Sequence, residues 1–291
     1  MSAGLWDAVL TAAKAVTYAA TFSAAGAVFF LTICATLIAA ADVQRIWRLV
    51  LASALLSVVG GAIQILASAA SMSGGASGMI DGSLLGMVWQ AGAGRANGIR
   101  ALGLLMAVLA SRSQRTAWLA CMGAAAAATS FAWTGHARAL HPDALPILLL
   151  SLHLTGIAFW LGALAPLDLV ASGGDPLRTG AVAARFGALA VFVVGALLAA
   201  GAALLWLLLG RSLAPWASSY GRWVMFKLVW VAAILCLAAF NKWRLTPRLL
   251  AGDRHAVAQL RNTIRFEMLL GGVILAVTAT LTTLSGPPAL D

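Results

Sequence analysis

An all-α, polytopic membrane helix bundle of about eight transmembrane helices is the fold class predicted for this 291-residue chain. Three observations carry that reading. Hydrophobic residues make up 62% of the chain and charged residues only 10%, where a soluble domain carries about 25% charged residues. Such a chain has too little polar surface to face water all round. Apolar segments of roughly 20 residues, the length that crosses a bilayer as a helix, recur from end to end. Those segments are continuous and rich in Ala and Leu, without the inside/outside alternation of a membrane β-barrel.

The spans follow in order. The first is read at 15–40. It has no charged segment before its apolar run and no cleavage site, so it is expected to be retained rather than removed as a signal peptide. Arg45 and Arg48 mark the passage into the second span, 47–70. A Gly/Ser-rich stretch with Met72 and Met79 comes next. The segment 84–94, apolar but with Gln90 and three glycines, reads as an interfacial helix leading into the third span, 94–110. Arg112 and Arg115 turn the chain into the fourth, 116–135, and a polar turn with His136 and His141 leads to the fifth, 146–168. Spans at 183–209, 222–241 and 263–284 complete the set, with a basic loop at 242–261. The chain is expected to form a single transmembrane domain, 1–291, with N-terminal spans and an outward loop at 1–93 and a core at 94–291.

Charge orients the spans. Loops after spans 1, 3, 5 and 7, with their flanks, hold 12 of the 19 Lys and Arg residues, including Arg178, Arg185, Lys242 and Arg248. The opposite side holds seven: Lys14, Arg95, Arg100, Arg138, Arg211, Arg222 and Lys227. The positive-inside rule puts the basic end in the cytoplasm and both termini outward. The net charge of +10 therefore reports topology and not a nucleic-acid partner, since the basic residues are scattered through short loops. Cys34, Cys121 and Cys236 all fall in apolar segments with no CxxC pair, so no disulfide framework is expected.

On this map the outward side gathers soft and borderline metal ligands. His136 and His141 lie in the turn between spans 4 and 5. His153 lies seven residues beyond Pro146 inside span 5, about 10 Å below its outer end. Met72 and Met79 lie in the outward loop between spans 2 and 3, with Met87 after it, Met225 near the outer end of span 7, and Asp81 and Asp143 also outside. Imidazole suits copper, zinc, iron and nickel, and thioether selects Cu(I); together they favour copper over calcium or magnesium. A polar side chain within a span is costly and faces the bundle interior, so His153 needs a partner, a proton or a metal. Plainer roles stand beside these: solvated loop residues for His136 and His141, a helix-to-helix hydrogen bond for His153, packing for the methionines.

The inward side carries Cys34, Cys121 and Cys236, which could receive copper along an inner path or serve as small buried hydrophobes. Glu267, near the inner end of span 8, is either paired or functional in a gating or proton role; Arg185, at the inner end of span 6, is its expected ion-pair partner. Lys227 is expected to snorkel outward. Trp160, Gly156 and Gly162 read as packing residues. No nucleotide-binding or phosphorylation motif is present, so an ATP-driven pump is not expected.

Several separated motifs then resemble one family. GHA at 135–137, LHLTGIAFWLGALAPL at 152–167, RFGALAV from Arg185, YGRWVMFKLVWVAAI from Tyr220, FNKWRLTPRL from Phe240 and LRNTIRFEMLLGGVILAVTATLT from Leu260 look like the ordered motifs of the copper resistance protein D family. The likeness runs over residues 95–288; the first 90 residues share only the span pattern and the methionines. The resemblance implies a multi-pass protein of the bacterial inner membrane, not an enzyme, that transports copper, as Cu(I) or Cu(II), usually by uptake from the periplasm. It also implies a separate periplasmic copper-binding partner of the copper resistance protein C type. His136 and His153 are the positions carried over by motif, with His141 in the variable turn between them. Two other readings stay open: a haem-binding redox or haem-handling membrane protein, in which a histidine would be an axial ligand, and a membrane dock for a periplasmic copper carrier that passes no copper through.

Overall fold

The structure, a computed structural model, describes residues 2–133, 144–209 and 219–284. All regular elements there are helical. They are α1 (Ser2–Cys34), α2 (Ala40–Ser73), α3 (Gly82–Gln90), α4 (Gly92–Ala110), α5 (Ala117–Thr129), α6 (Ala144–Gly162), α7 (Leu164–Ala171), α8 (Pro176–Leu209), α9 (Ser219–Phe240), α10 (Thr246–Leu250) and α11 (Arg254–Leu284).

Six stretches among the described residues are long and apolar enough to cross a membrane: Gly4–Leu37, Ala40–Ser73, Ala144–Ala171, Pro176–Leu207, Gly221–Leu250 and Arg254–Thr283. The two remaining expected spans are present as a shorter hairpin. Its first helix, α4, has 19 residues and carries Arg95, Asn97 and Arg100; its second, α5, has 13 and is prolonged by the 3-10 turn Ser130–Trp133. The segment expected to be interfacial is the separate helix α3, whose start is capped by Asp81. The Ser83 hydroxyl, then the backbone N–H groups of Leu84 and Ser83, hold the Asp81 carboxyl below the usual carboxylate range.

Helix α1 forms the centre of the bundle, packed by α2, α5, α6 and α11. Its composition explains the place. Ala20, Ala24, Ala25 and Ala27 are buried and let neighbouring backbones come close. At the crossing of α1 and α6, glycine meets glycine. A Cβ on Gly162 would run into the Phe22 carbonyl and the Gly26 Cα, and one on Gly26 into the backbone of Ala158 and Gly162. The α4–α5 hairpin repeats the device, with a Cβ on Gly103 only 2.7 Å from the Gly123 carbonyl oxygen. Lipid-tail burial gives helices no hydrophobic drive toward each other, so close backbone contact and packing supply the association.

Large apolar side chains point outward from the bundle, Phe192, Val229 and Trp243 among them. On a soluble protein such a surface would be an aggregation liability; here it is the lipid-facing coat. Between α10 and α11 the chain turns at Gly252, whose φ of +85° is the left-handed region glycine enters without strain. Asp253 then caps α11, accepting from the His255 N–H at 2.8 Å and from Arg248 at 2.7 and 2.9 Å. The chain is a multi-pass membrane protein.

Candidate functional site

His153 sits nine residues into α6, about 14 Å below that helix's first residue. The 3.6-residue repeat puts Gly156 and Trp160 near it on the same side, and both are buried. Helix α8 packs directly on this face. Leu197 lies against Gly156, where an added Cβ would come within 2.9 Å of the Leu197 Cβ. One turn on, Gly201 seats the imidazole: a Cβ there would meet His153 Cε1 and Nδ1 at 3.0 Å. The absent side chain is what makes room for the ring.

The same contact assigns the tautomer. His153 Nδ1 lies 3.0 Å from the Leu197 carbonyl oxygen. A carbonyl only accepts, so Nδ1 carries the hydrogen and donates it. In the neutral ring Nε2 then holds a free lone pair, the form in which imidazole binds a metal. The helix-to-helix bond expected as the plain role of His153 is therefore made, and it leaves the other nitrogen available. Lys227 of α9 is half-buried.

The other expected ligands are placed as follows. His136, His141 and Asp143 lie outside the described residues. Met72 is exposed at the end of α2, and Met79 is half-buried in the 3-10 turn Ala76–Ile80, which packs on α2 and α3. Helix α6 packs on α8, α1 and α5, so the loop methionines and His153 are carried by different parts of the bundle. Among the described residues no three His, Cys, Asp or Glu side chains form a metal-sized cluster.

The segment leading to His136 departs from a firm anchor. Arg100 is 4% exposed. It donates from Nε to the Ser130 hydroxyl at 3.1 Å and from Nη1 to Asn97 Oδ1 at 2.7 Å, and lies 4.0 Å above the centre of the Phe131 ring. Phe131 in turn meets Tyr18 and Phe22 edge-on. One arginine thus ties α4 to the turn Ser130–Trp133. Arg100 had been counted only as an outward positive charge; its burial follows from helix register, which a single basic residue does not reveal.

At the basic end, Cys34 is buried at the last residue of α1 and lies within reach of the Arg185 charge. Cys121 Sγ is 3.4 Å from Thr32 Oγ1, so these two thiols flank the C-terminal end of α1. Cys236 is exposed on the outside of α9, and the three are not gathered. Asp168 of α7 accepts from Arg261 at 3.0 Å and lies 3.6 Å from Arg265. Glu267 is 1% exposed and accepts from the Asn241 side-chain amide. The expected partner Arg185 is exposed and lies toward Cys34, with no ion pair to Glu267. Asn241 opens the π-helical turn Asn241–Leu245 between α9 and α10. It stands within the motif FNKWRLTPRL, whose sequence gives no sign that its amide is the partner of Glu267.

Two family models match the chain. Copper resistance protein D matches residues 180–281, and the copper resistance protein D-like N-terminal domain matches residues 5–145. The second match reaches the first helices, where the quoted motifs do not. Neither the curated proteins nor the solved structures include a match.

Proposed function

The chain belongs to the copper resistance protein D family, and from that premise we propose that this membrane protein carries copper across the inner membrane, taking it up from the periplasm. The observation that supports this reading most directly is the free Nε2 of His153, fixed by the Nδ1 bond to Leu197 where α6 meets α8. In this reading the basic end faces the cytoplasm and both termini face the periplasm, by the charge asymmetry of the loops. Copper arrives as cargo at the outward end, from a separate carrier of the copper resistance protein C type. His136 and His141, with the thioethers of Met72 and Met79, hand it to His153. Imidazole and thioether are a donor set that accepts Cu(I) and releases it again.

Toward the basic end, Cys34 and Cys121 are the proposed receiving thiols, because both border the inner part of α1. Cys236 opens to the outside of the bundle and takes no part. The transport core is assigned to residues 94–291, with 1–93 supplying the first helices and the methionine loop.

The test is Cu(I) binding to the purified protein and Cu(I) uptake into proteoliposomes, wild type against His153→Ala and the His136→Ala/His153→Ala double variant. Loss of both binding and uptake in the double variant is the expected result. Unchanged binding and uptake would sink the reading. Binding lost with the histidines, but no uptake even by the wild type, would make the protein a dock and not a carrier.

A further inference from the structure

Deep in the other half of the bundle lies a carboxyl group for which copper binding at His153 has no use. Glu267 is 1% exposed on α11. Leu161 of α6 packs at Gly271, one turn beyond Glu267. By helical rise this puts Glu267 about 18 Å from His153 along the bundle axis. The two groups do not touch and could interact only through a change in the packing between α6 and α11.

The bonding of Glu267 is neutral throughout. Asn241 donates its amide N–H to the carboxyl, and the Thr263 hydroxyl donates to Asn241 Oδ1 at 2.6 Å. Thr263 is half-buried and one turn nearer the basic end than Glu267. Asn241 stands at the start of a π-helical turn, a local widening of the helix that occurs often at functional sites. The turn is held open by Thr246, whose hydroxyl donates to the Asn241 carbonyl at 2.9 Å.

Among the described residues no cation forms an ion pair with Glu267. On α11 itself, Arg261 and Arg265 go to Asp168 of α7, and Lys14 of α1 donates to the Thr282 carbonyl at the far end. In the π-turn, Lys242 donates to the Gly187 carbonyl of α8 at 2.9 Å, while Arg244 is exposed. Arg248 of α10 bonds Asp253 and Gln259. Arg185 of α8 is exposed and Lys227 of α9 is half-buried. A lasting charge on Glu267 would thus sit in the membrane interior without a cation beside it, which is costly. A proton that binds and leaves is the chemistry such a group suits.

We propose that Glu267 is the proton-binding site of a copper–proton co-transport, with Asn241 and Thr263 as the residues that position its carboxyl and open it toward the basic end, the side to which both copper and the proton pass. The step breaks the carboxyl O–H bond and passes the proton to water as Cu(I) moves through; no electron is transferred. It supplies the energy coupling that a chain without a nucleotide-binding motif needs. The proposal rests on the transport reading above for its coupling, but proton exchange at Glu267 can be observed without transport.

Two measurements on the full chain test it. The first is infrared difference spectroscopy of purified protein on adding Cu(I), reading the carboxylic-acid C=O band. A copper-induced change in that band, absent in Glu267→Gln and kept in Glu267→Asp, is expected. No band change in the wild type, or one that survives in Glu267→Gln, overturns the proposal whether or not copper is transported. The second reads copper uptake and lumenal pH together in proteoliposomes. The wild type should shift the pH as copper crosses, and Glu267→Gln should lose that shift. Gln keeps an oxygen for the Asn241 amide, so a purely structural Glu267 predicts unchanged copper-linked pH movement in the variant. That result, or copper uptake by the wild type with no pH change, overturns the coupling.

Discussion

His153 and Leu197 are joined through a ring nitrogen and a backbone carbonyl, 3.0 Å apart across α6 and α8. The bond uses no side-chain partner, so no substitution at Leu197 removes the acceptor. What can be altered is the space around the ring.

Gly201 supplies that space. Replacing it with Leu drives a side chain into His153 Cε1 and Nδ1, which a Cβ alone already approaches to 3.0 Å. Disturbing the support of a metal-binding histidine weakens metal affinity by about 10- to 100-fold. Gly201→Leu is expected to lower Cu(I) affinity by that much with unchanged helix content, checked by competition titration and circular dichroism. Unchanged affinity would mean that this seat does not serve copper.

Lys227 is a half-buried basic side chain on α9, on the side where copper is proposed to enter. A cation binding there works against it, the more so in a low-dielectric interior. Lys227→Met should therefore tighten Cu(I) binding, on the order of tenfold, in the same titration. Weaker binding in the variant would show that Lys227 helps hold the site instead.

Asp253 gives a pH-dependent prediction at the α10–α11 turn. The Arg248 side chain, aided by the N–H groups of His255 and Ala256, holds its carboxyl below the usual carboxylate range. A carboxylate with a folded pKa below its unfolded value of about 3.9 adds stability above that value. It loses the contribution as pH falls through the lower, folded one. Asp253→Asn should lower Tm at pH 7, and the gap from wild type should close as the pH falls below about 4. A gap of constant size from neutral to acid pH would show that the charge is not what stabilises the turn.

The crossing of α1 and α6 leaves no room for a side chain on Gly162, since the Phe22 carbonyl and Gly26 lie against it. Gly162→Leu must separate two central helices and should cost about 3 kcal/mol or more. A sharp fall in monodisperse protein after detergent extraction is expected. A normal yield and Tm would show that the helices can re-pack around the added bulk.

Much of this architecture was legible because hydropathy adds up residue by residue. The long apolar runs became helices, and the apolar stretch at 84–94 became the separate helix Gly82–Gln90. The spans expected at 94–110 and 116–135 are shorter than the other six; the first is a 19-residue helix that carries Arg95, Asn97 and Arg100, and the second ends in a 3-10 turn. His153 was singled out by the cost of an imidazole within a span. Its acceptor was hidden, since any residue offers the same carbonyl. For Glu267, a search for an opposite charge on the same side of the membrane suggested Arg185. The fold instead turns Arg185 outward and brings Asn241 to the carboxyl.

Composition and the order of its apolar runs were enough to establish an all-helical membrane protein with a basic end and a family likeness, because transfer into lipid depends on local sequence alone. Which faces meet was decided only in three dimensions. Glycine crossings at Gly26 and Gly162 and at Gly103 and Gly123 fix how closely the helices approach. Rotation of each helix about its axis then determines whether a polar residue meets a carbonyl, an amide or lipid. That rotation is shared among helices distant in the chain, and no single segment encodes it.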